Sequence, residues 1–311
     1  MSANASENVI EIEDLSKKFG ELTAVDHLNL TVKKGSVFGF LGPNGAGKTT
    51  TLRVLMGLAK PTSGSARILG YDVQENVLTV RKRIGYLPDV PSFYNWMTAR
   101  DYLFFVGELF NISREELDQR ITSLLEFAGL SGIKTRIGGF SRGMKQRLGI
   151  VQAMINRPEA LFLDEPTSAL DPIGRKEVLD MIESLGEETT VFFSTHILSD
   201  VERVCDTVAI LNKGRLMAES SLAELKARYA KPMFLIEVDS EASDLEIKLA
   251  QAAWVHEVNR DHNQLKVKVD DMRASQIKIF SLLSQTSALL RNFKIVEPTL
   301  EDIFVEMVEE K

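Results

Sequence analysis

The run Gly42-Pro43-Asn44-Gly45-Ala46-Gly47-Lys48-Thr49 fits the spacing G-x-x-x-x-G-K-[ST] in full. Its chemistry is the cradling of a phosphate chain. Glycines let the backbone curl until successive N–H groups converge on the β- and γ-phosphates. Lys48 adds a positive charge to the same oxygens, and the Thr49 hydroxyl is placed to ligate Mg²⁺. The helical pattern that follows presents its positive N-terminal end to the anion. Thr50 can reach the α-phosphate, whereas Thr51 suits packing equally well.

A second segment carries acids. Ala160-Leu161-Phe162-Leu163-Asp164-Glu165-Pro166 is an apolar strand ending in two carboxylates. Asp164 can hold the shell of the same Mg²⁺. Glu165 then projects toward the γ-phosphate, where a carboxylate can polarise an attacking water. His196 follows the apolar run Val191-Phe192-Phe193, at the C-terminal sheet edge where α/β folds bind ligands. It can hydrogen-bond the γ-phosphate. His27, His256 and His262 have no such setting and read as structural or solvated residues.

These groups need a frame. Short apolar strands are expected over 9–13, 24–32, 36–41, 65–68, 84–87, 160–163, 190–194 and 207–211. Helical periodicity fills 48–56, 99–109, 114–128, 145–155, 174–185 and 198–203. Fully apolar strands followed by helices argue a largely parallel sheet covered on both faces. The earliest strands, with no helices between them, read as an antiparallel β region attached to it. Pro232 stops a helix over 222–228. Beyond it the order is β-α-β-β-α-β plus a last helix over 299–308, which suggests a small ferredoxin-like domain.

The 311 residues exceed what one core usually serves, so two unequal domains are expected. Apolar residues make up 44% and charged residues 26%, which excludes wholesale disorder. With 37 basic against 44 acidic residues, the net charge of −7 speaks against a nucleic-acid partner. The single cysteine, Cys205, can form no internal disulfide and reads as a small packing residue. Residues 1–14 carry acids and no long apolar run, so no signal peptide is expected. No stretch approaches the roughly 18–20 apolar residues that span a bilayer.

Taken in order, the motifs over about residues 9–229 resemble the ATP-binding subunit of an ABC transporter. Phe140-Ser141-Arg142-Gly143-Met144-Lys145-Gln146-Arg147 is similar to the family's signature at a helix start. The resemblance implies that Ser141 and Gly143 bind the γ-phosphate of an ATP held by a second copy. Ser141 is a good N-cap and Gly143 allows close backbone approach, as that role needs. Ser168-Ala169-Leu170-Asp171 resembles the loop that crosses the dimer interface. Phe19 stands where the family places an aromatic against adenine, although a core position would suit it too.

Two departures stand out. The commonest signature, LSGGQ, has Gly and Gln where this chain has Arg142 and Met144, a variant similar to cassettes of two-component exporters of drugs, antibiotics, lipids or ions. A glutamine that the family sets near the metal is replaced by Asp89, whose carboxylate can still meet Mg²⁺ or its water. Phe93, Tyr94 and Trp96 follow it, and either receive the membrane subunit or pack under the helical subdomain. Pro298-Thr299-Leu300-Glu301-Asp302-Ile303-Phe304 also resembles the tail of that exporter group, with Thr299 as an N-cap.

The reading is thus an α/β fold: a P-loop NTPase with an antiparallel β region and a helical subdomain at about 98–157, spanning residues 1–229. A small α+β, ferredoxin-like domain follows over 230–311. The resemblance implies an ATPase using ATP and Mg²⁺. It also implies a head-to-tail dimer and a separate membrane permease that holds the chain at the cytoplasmic face. The rival is a soluble ABC ATPase acting on ribosomes or DNA; one phosphate loop, no heptads and a negative charge weigh against it.

Overall fold

The first strands of the computed structural model, which describes residues 7–239 and 242–309, are long and antiparallel. β1 (Asn8–Phe19) pairs with β2 (Leu22–Lys33) and, on its other side, with β4 (Ser63–Ile68). In between come β3 (Val37–Leu41) and α1 (Lys48–Leu55); β5 (Tyr71–Asp72) completes the sheet β2-β1-β4-β5. Alternation sets its inner face along β2: Leu28, Leu30 and Val32 are buried while Asn29, Thr31 and Lys33 are exposed, and Ile10 and Ile12 of β1 are buried with them.

After α2 (Val77–Arg83), β6 (Ile84–Leu87) runs to the helical subdomain. That subdomain comprises α3 (Ala99–Glu108), α4 (Arg114–Phe127) and α5 (Arg142–Ala153). Each helix begins on a side-chain cap: Thr98 in a reciprocal box with Asp101, Ser113 and Ser141. The chain then re-enters the sheet through β7 (Ala160–Asp164), α6 (Pro172–Gly186), β8 (Thr190–Thr195), α7 (Leu198–Val204) and β9 (Thr207–Asn212). It leaves by β10 (Arg215–Ser221).

The central sheet has the order β10-β9-β3-β8-β7-β6, parallel except for β10. Every residue of β3, β7 and β8 is buried, as both faces are covered. Phe38, Phe40, Phe162 and Phe192 cluster on one face, with ring centroids 5.0–5.6 Å apart around Phe192. Cys205 is buried, and its thiol lies close to where a side chain on Gly39 would project, so packing is its role.

The second part begins with α8 (Leu222–Tyr229), β11 (Met233–Val238) and α9 (Ala242–Ala250). β12 (Val255–Asp261), β13 (Gln264–Val269), α10 (Met272–Leu283), β14 (Leu290–Ile295) and α11 (Leu300–Glu309) follow. The antiparallel order β12-β13-β11-β14 is the ferredoxin-like arrangement. Phe234, Ile236, Leu265, Val267 and Ile279 fill its own core. Thr299 caps α11 with Asp302, which accepts from the Thr299 backbone N–H at 3.0 Å; these bonds hold the Asp302 carboxyl below its usual range.

The expected fold class is therefore present. The compact units divide at Met1–Leu222 and Ala223–Lys311, seven residues before the division drawn from sequence, because all of α8 after Leu222 goes with the second unit. Residues 1–6, 240–241 and 310–311, which that reading gave to the two domains, lie outside the described residues. Among the described residues, two strands and one α-helix were not foreseen. β5 is two residues long, α2 is short, and β10 has no fully buried residue. α5 begins at Arg142 rather than 145, since Ser141 is its cap.

Close packing behind the central sheet gives a test. A Cβ on Gly85 of β6 would sit 2.1 Å from the Ala153 carbonyl oxygen at the end of α5. Gly85→Ala must push the helix off the strand, at a cost of about 2–3 kcal/mol. Thermal unfolding should show a midpoint lowered by roughly 4–10 °C; an unchanged midpoint would mean that the helix end is free to move.

Candidate active site

Three adjacent strands of the parallel sheet, β3, β8 and β7, end on the same side and bring together residues far apart in sequence. The loop after β3 runs into α1, that after β8 carries His196, and that after β7 carries Glu165. They open onto one cavity of about 610 Å³.

The phosphate loop forms its floor. Gly47 has φ 103°, and a Cβ there would lie 2.4 Å from the Ala24 carbonyl oxygen, so only glycine fits. Lys48 is 5% exposed. Its ammonium donates to the carbonyl oxygens of Gly42 at 2.6 Å and Pro43 at 3.3 Å. It also lies 3.3 Å from Glu165 Oε1. A buried ammonium needs such partners.

Glu165 holds the opposite wall. Its backbone is left-handed, φ 47°, which is costly for a residue with a side chain. The Glu165 N–H donates to Ser194 O at 2.9 Å, fixing that turn to β8. The carboxylate is shared: Oε1 faces Lys48, and Oε2 lies 2.8 Å from His196 Nδ1 and 3.4 Å from the His196 backbone N. Downstream, Thr167 donates to Asp200 Oδ2 at 2.6 Å and Arg175 Nε to Asp200 Oδ1 at 2.6 Å, tying the loop over 165–171 to α7.

Asp164 lies behind the loop. Its Oδ1 accepts from Ser194 Oγ at 2.6 Å and from Thr49 Oγ1 at 3.4 Å. Burial pushes its pKa up; the two hydroxyls oppose this, and the nearby charges of Glu165 and Asp89 add to it. Asp89 Oδ1 is buried and accepts no hydrogen bond.

A divalent cation fits this donor set. Among the described residues no cluster of His, Cys, Asp and Glu forms an all-protein cage. Mg²⁺ does not ask for one, since it is usually held by one or two carboxylates and substrate phosphates. Thr49 Oγ1, Asp164 and the unpartnered oxygen of Asp89 are oxygen ligands of that kind.

The cavity wall thus takes in Phe19, residues 44–50, Asp89, Glu165 and His196. Phe19 is 52% exposed beneath the Lys17 ammonium, 4.8 Å from its ring, so the core alternative does not apply. Thr50 lines the cavity, whereas Thr51 is buried and caps back to Gly47 O at 3.0 Å. Ser141 and Gly143 do not join this cavity. The Ser141 hydroxyl accepts from Met144 N at 3.2 Å at the start of α5, and beside it Arg142 lines a smaller cavity with Asp89. Of the aromatics, Phe93 packs edge-on against Tyr102 at 5.2 Å, while Trp96 is 65% exposed.

Sequence reasoning placed Ser168 only in the loop that resembles a dimer crossing and passed over Lys213; both also line the cavity. Lys213 sits with Gly214 in the two-residue turn between β9 and β10. Two residues between strands, the second a glycine, are a hairpin signal that would have placed it.

A family model described as ABC transporter matches residues 25–168. A second, described as ATP-binding protein DrrA1-3-like, C-terminal domain, matches residues 221–308. The chain is 40% identical to an uncharacterised ABC transporter ATP-binding protein, YxlF of Bacillus subtilis, covering 96% of this chain and 99% of that protein. It is 39% identical to the bacitracin transport ATP-binding protein BcrA of Bacillus licheniformis, covering 96% and 97%. A solved ATP-binding subunit of an ABC transporter superposes with a TM-score of 0.65 at 30% identity, covering 71% of this chain and 93% of that one. A dimeric post-hydrolysis cassette bound to ADP and Pi superposes at 0.62 with 27% identity, covering 68% and 98%.

The raised pKa of Asp164 has a thermodynamic consequence. The native chain holds this proton more tightly than the unfolded chain, whose carboxyl has the ordinary value of 3.8. Stability is therefore lost as pH rises from that value through the raised one. Asp164→Asn keeps an oxygen acceptor and removes the buried charge. Calorimetry of the nucleotide-free protein should give the variant a higher midpoint than wild type at neutral pH, with the gap closing toward about pH 4. A variant midpoint below wild type at neutral pH would contradict this.

Proposed function

This chain belongs to the ABC transporter ATP-binding family, and from that premise we propose that two copies close head to tail on two ATP molecules and drive an antibiotic-exporting permease. Its membership makes it a nucleotide-binding, ATP-hydrolysing subunit of a transporter. The observation that carries the catalytic part of this reading is the Glu165 carboxylate held between Lys48 and His196 in the cavity.

The arriving triphosphate competes with Glu165 for Lys48. The phosphate oxygens take over the ammonium, while the N–H groups of residues 44–49 and the N-terminus of α1 surround the β- and γ-phosphates. Glu165 is then free to accept a proton from the attacking water. The water oxygen bonds to the γ-phosphorus, the bond from that phosphorus to the β–γ bridging oxygen breaks, and the electron pair leaves on ADP. His196, already against Glu165, orients the carboxylate and hydrogen-bonds the γ-phosphate. Thr49, Asp164 and Asp89 would hold Mg²⁺, which neutralises β- and γ-oxygens when bound. Phe19 stacks on the base. Most of the catalysis is positioning and charge neutralisation.

The second copy supplies what one copy lacks. Ser141 and Gly143 lie outside the cavity, on a capped helix N-terminus suited to an anion, and so serve the γ-phosphate of the other copy. Closure then moves the helical subdomain, and the exposed Trp96 and Tyr94 give a permease a surface to engage. No helix among the described residues is long and apolar enough to cross a membrane, so the permease would hold this subunit at the cytoplasmic face. Relatives named for bacitracin transport and linearmycin resistance support an antibiotic as cargo. The net charge of −7 supports neither the ribosome nor the DNA alternative.

Glu165→Gln should lower steady-state ATP hydrolysis about 100-fold or more while leaving ATP bound. Gel filtration with ATP should then show a persistent dimer. Rapid turnover by this variant would remove Glu165 from the role of base.

A further inference from the structure

We infer that Lys213 is a second phosphate-binding cation of the nucleotide pocket, an inference that rests on the ATP-binding reading above. Lys213 lines the same cavity as Lys48. It is exposed and makes no ion pair with any described residue. Lys48, by contrast, is already engaged by Glu165 and two carbonyls.

The turn that presents it is fixed to the phosphate loop. Gly214 N donates to Ala46 O at 3.0 Å, and Asp26 N donates to Gly214 O at 2.9 Å. Arg215 Nε adds a bond to Asp26 Oδ2 at 2.7 Å. The hairpin tip therefore cannot drift from the loop that holds the anion. Within it, Lys213 has φ 48°. Both residues of such a two-residue turn favour asparagine, aspartate or glycine, and lysine is a poor choice on conformational grounds. A long cationic side chain at that place needs another reason.

Charge balance supplies it. The charged residues of the wall are Lys48 and Lys213 against Asp89 and Glu165. Without Lys213 the wall would carry a net negative charge toward a polyanion. With it, the wall is neutral before the backbone N–H groups of the phosphate loop are added. Lys213 thus attracts and holds the phosphate chain from the β9–β10 side, opposite Glu165, without a part in the chemical step.

Two variants separate this from a structural role. Lys213→Asn removes the charge and suits the left-handed backbone; Lys213→Arg keeps the charge. Calorimetric titration with ATP and Mg²⁺ at about 50 mM and about 1 M salt should find Lys213→Asn binding two- to five-fold more weakly than wild type at low salt. The difference should vanish at high salt, Lys213→Arg should bind like wild type, and the nucleotide-free Lys213→Asn protein should unfold no earlier than wild type. Equal ATP affinity of Lys213→Asn and wild type at low salt, or a loss undiminished at high salt, would overturn the assignment to Lys213 alone. Failure of the wild-type chain to bind ATP would instead overturn the ATP-binding reading, and this inference with it.

Discussion

A nearly buried ammonium and a buried carboxylate face each other across 3.3 Å in this molecule, and the rest of the site is arranged around that pair. Lys48 and Glu165 would each be costly to bury alone. Together they are tolerable, and His196 and the carbonyls of Gly42 and Pro43 satisfy their remaining atoms. The pair is also a reservoir of function. A polyphosphate offers Lys48 more negative charge than one carboxylate can, so under the proposed function nucleotide binding and release of Glu165 would be one event.

The sheet is what allows the pair to form. Residues 48, 165 and 196 meet because β3, β8 and β7 are neighbours, parallel and buried on both faces, so their C-terminal ends are rigid and aligned. β6 is next in order and carries Asp89 in the loop beyond it, within reach of the same cavity. Asp89 also lines the small cavity with Arg142 at the start of α5. Asp89 and Arg142, two of the three residues singled out as departing from the commonest family pattern, thus border one space.

Much of this was legible in the sequence for physical reasons. The phosphate loop declares itself because only glycine tolerates the backbone of Gly47. β3, β7 and β8 were visible as unbroken apolar runs, and the acid pair and histidine at their ends could be assigned to one sheet edge. Ser141 and Thr299 were readable as caps because side-chain oxygens before a helical pattern have a specific use. Other features were not legible. The two positions open to Phe19 differ only in tertiary burial, which its short motif does not encode. β10 hides because its apolar residues Leu216, Met217 and Ala218 are consecutive and flanked by polar ones at the sheet edge, so no alternation marks it. Missing β10 meant missing the turn before it, and with it Lys213. The division between units shifted because Pro232 marks where a helix stops, and not which core that helix serves.

The central claim is that the phosphates of ATP displace Glu165 from Lys48. A crystal structure of the Glu165→Gln protein cannot test it, because the carboxylate is gone. The direct measurement is a wild-type crystal structure with a non-hydrolysable ATP analogue and Mg²⁺. The account predicts Lys48 Nζ at about 2.7–3.2 Å from β- and γ-phosphate oxygens, with the Glu165 carboxylate released toward a water beside the γ-phosphate. Lys48 still paired with Glu165 while the analogue occupies the cavity would contradict it.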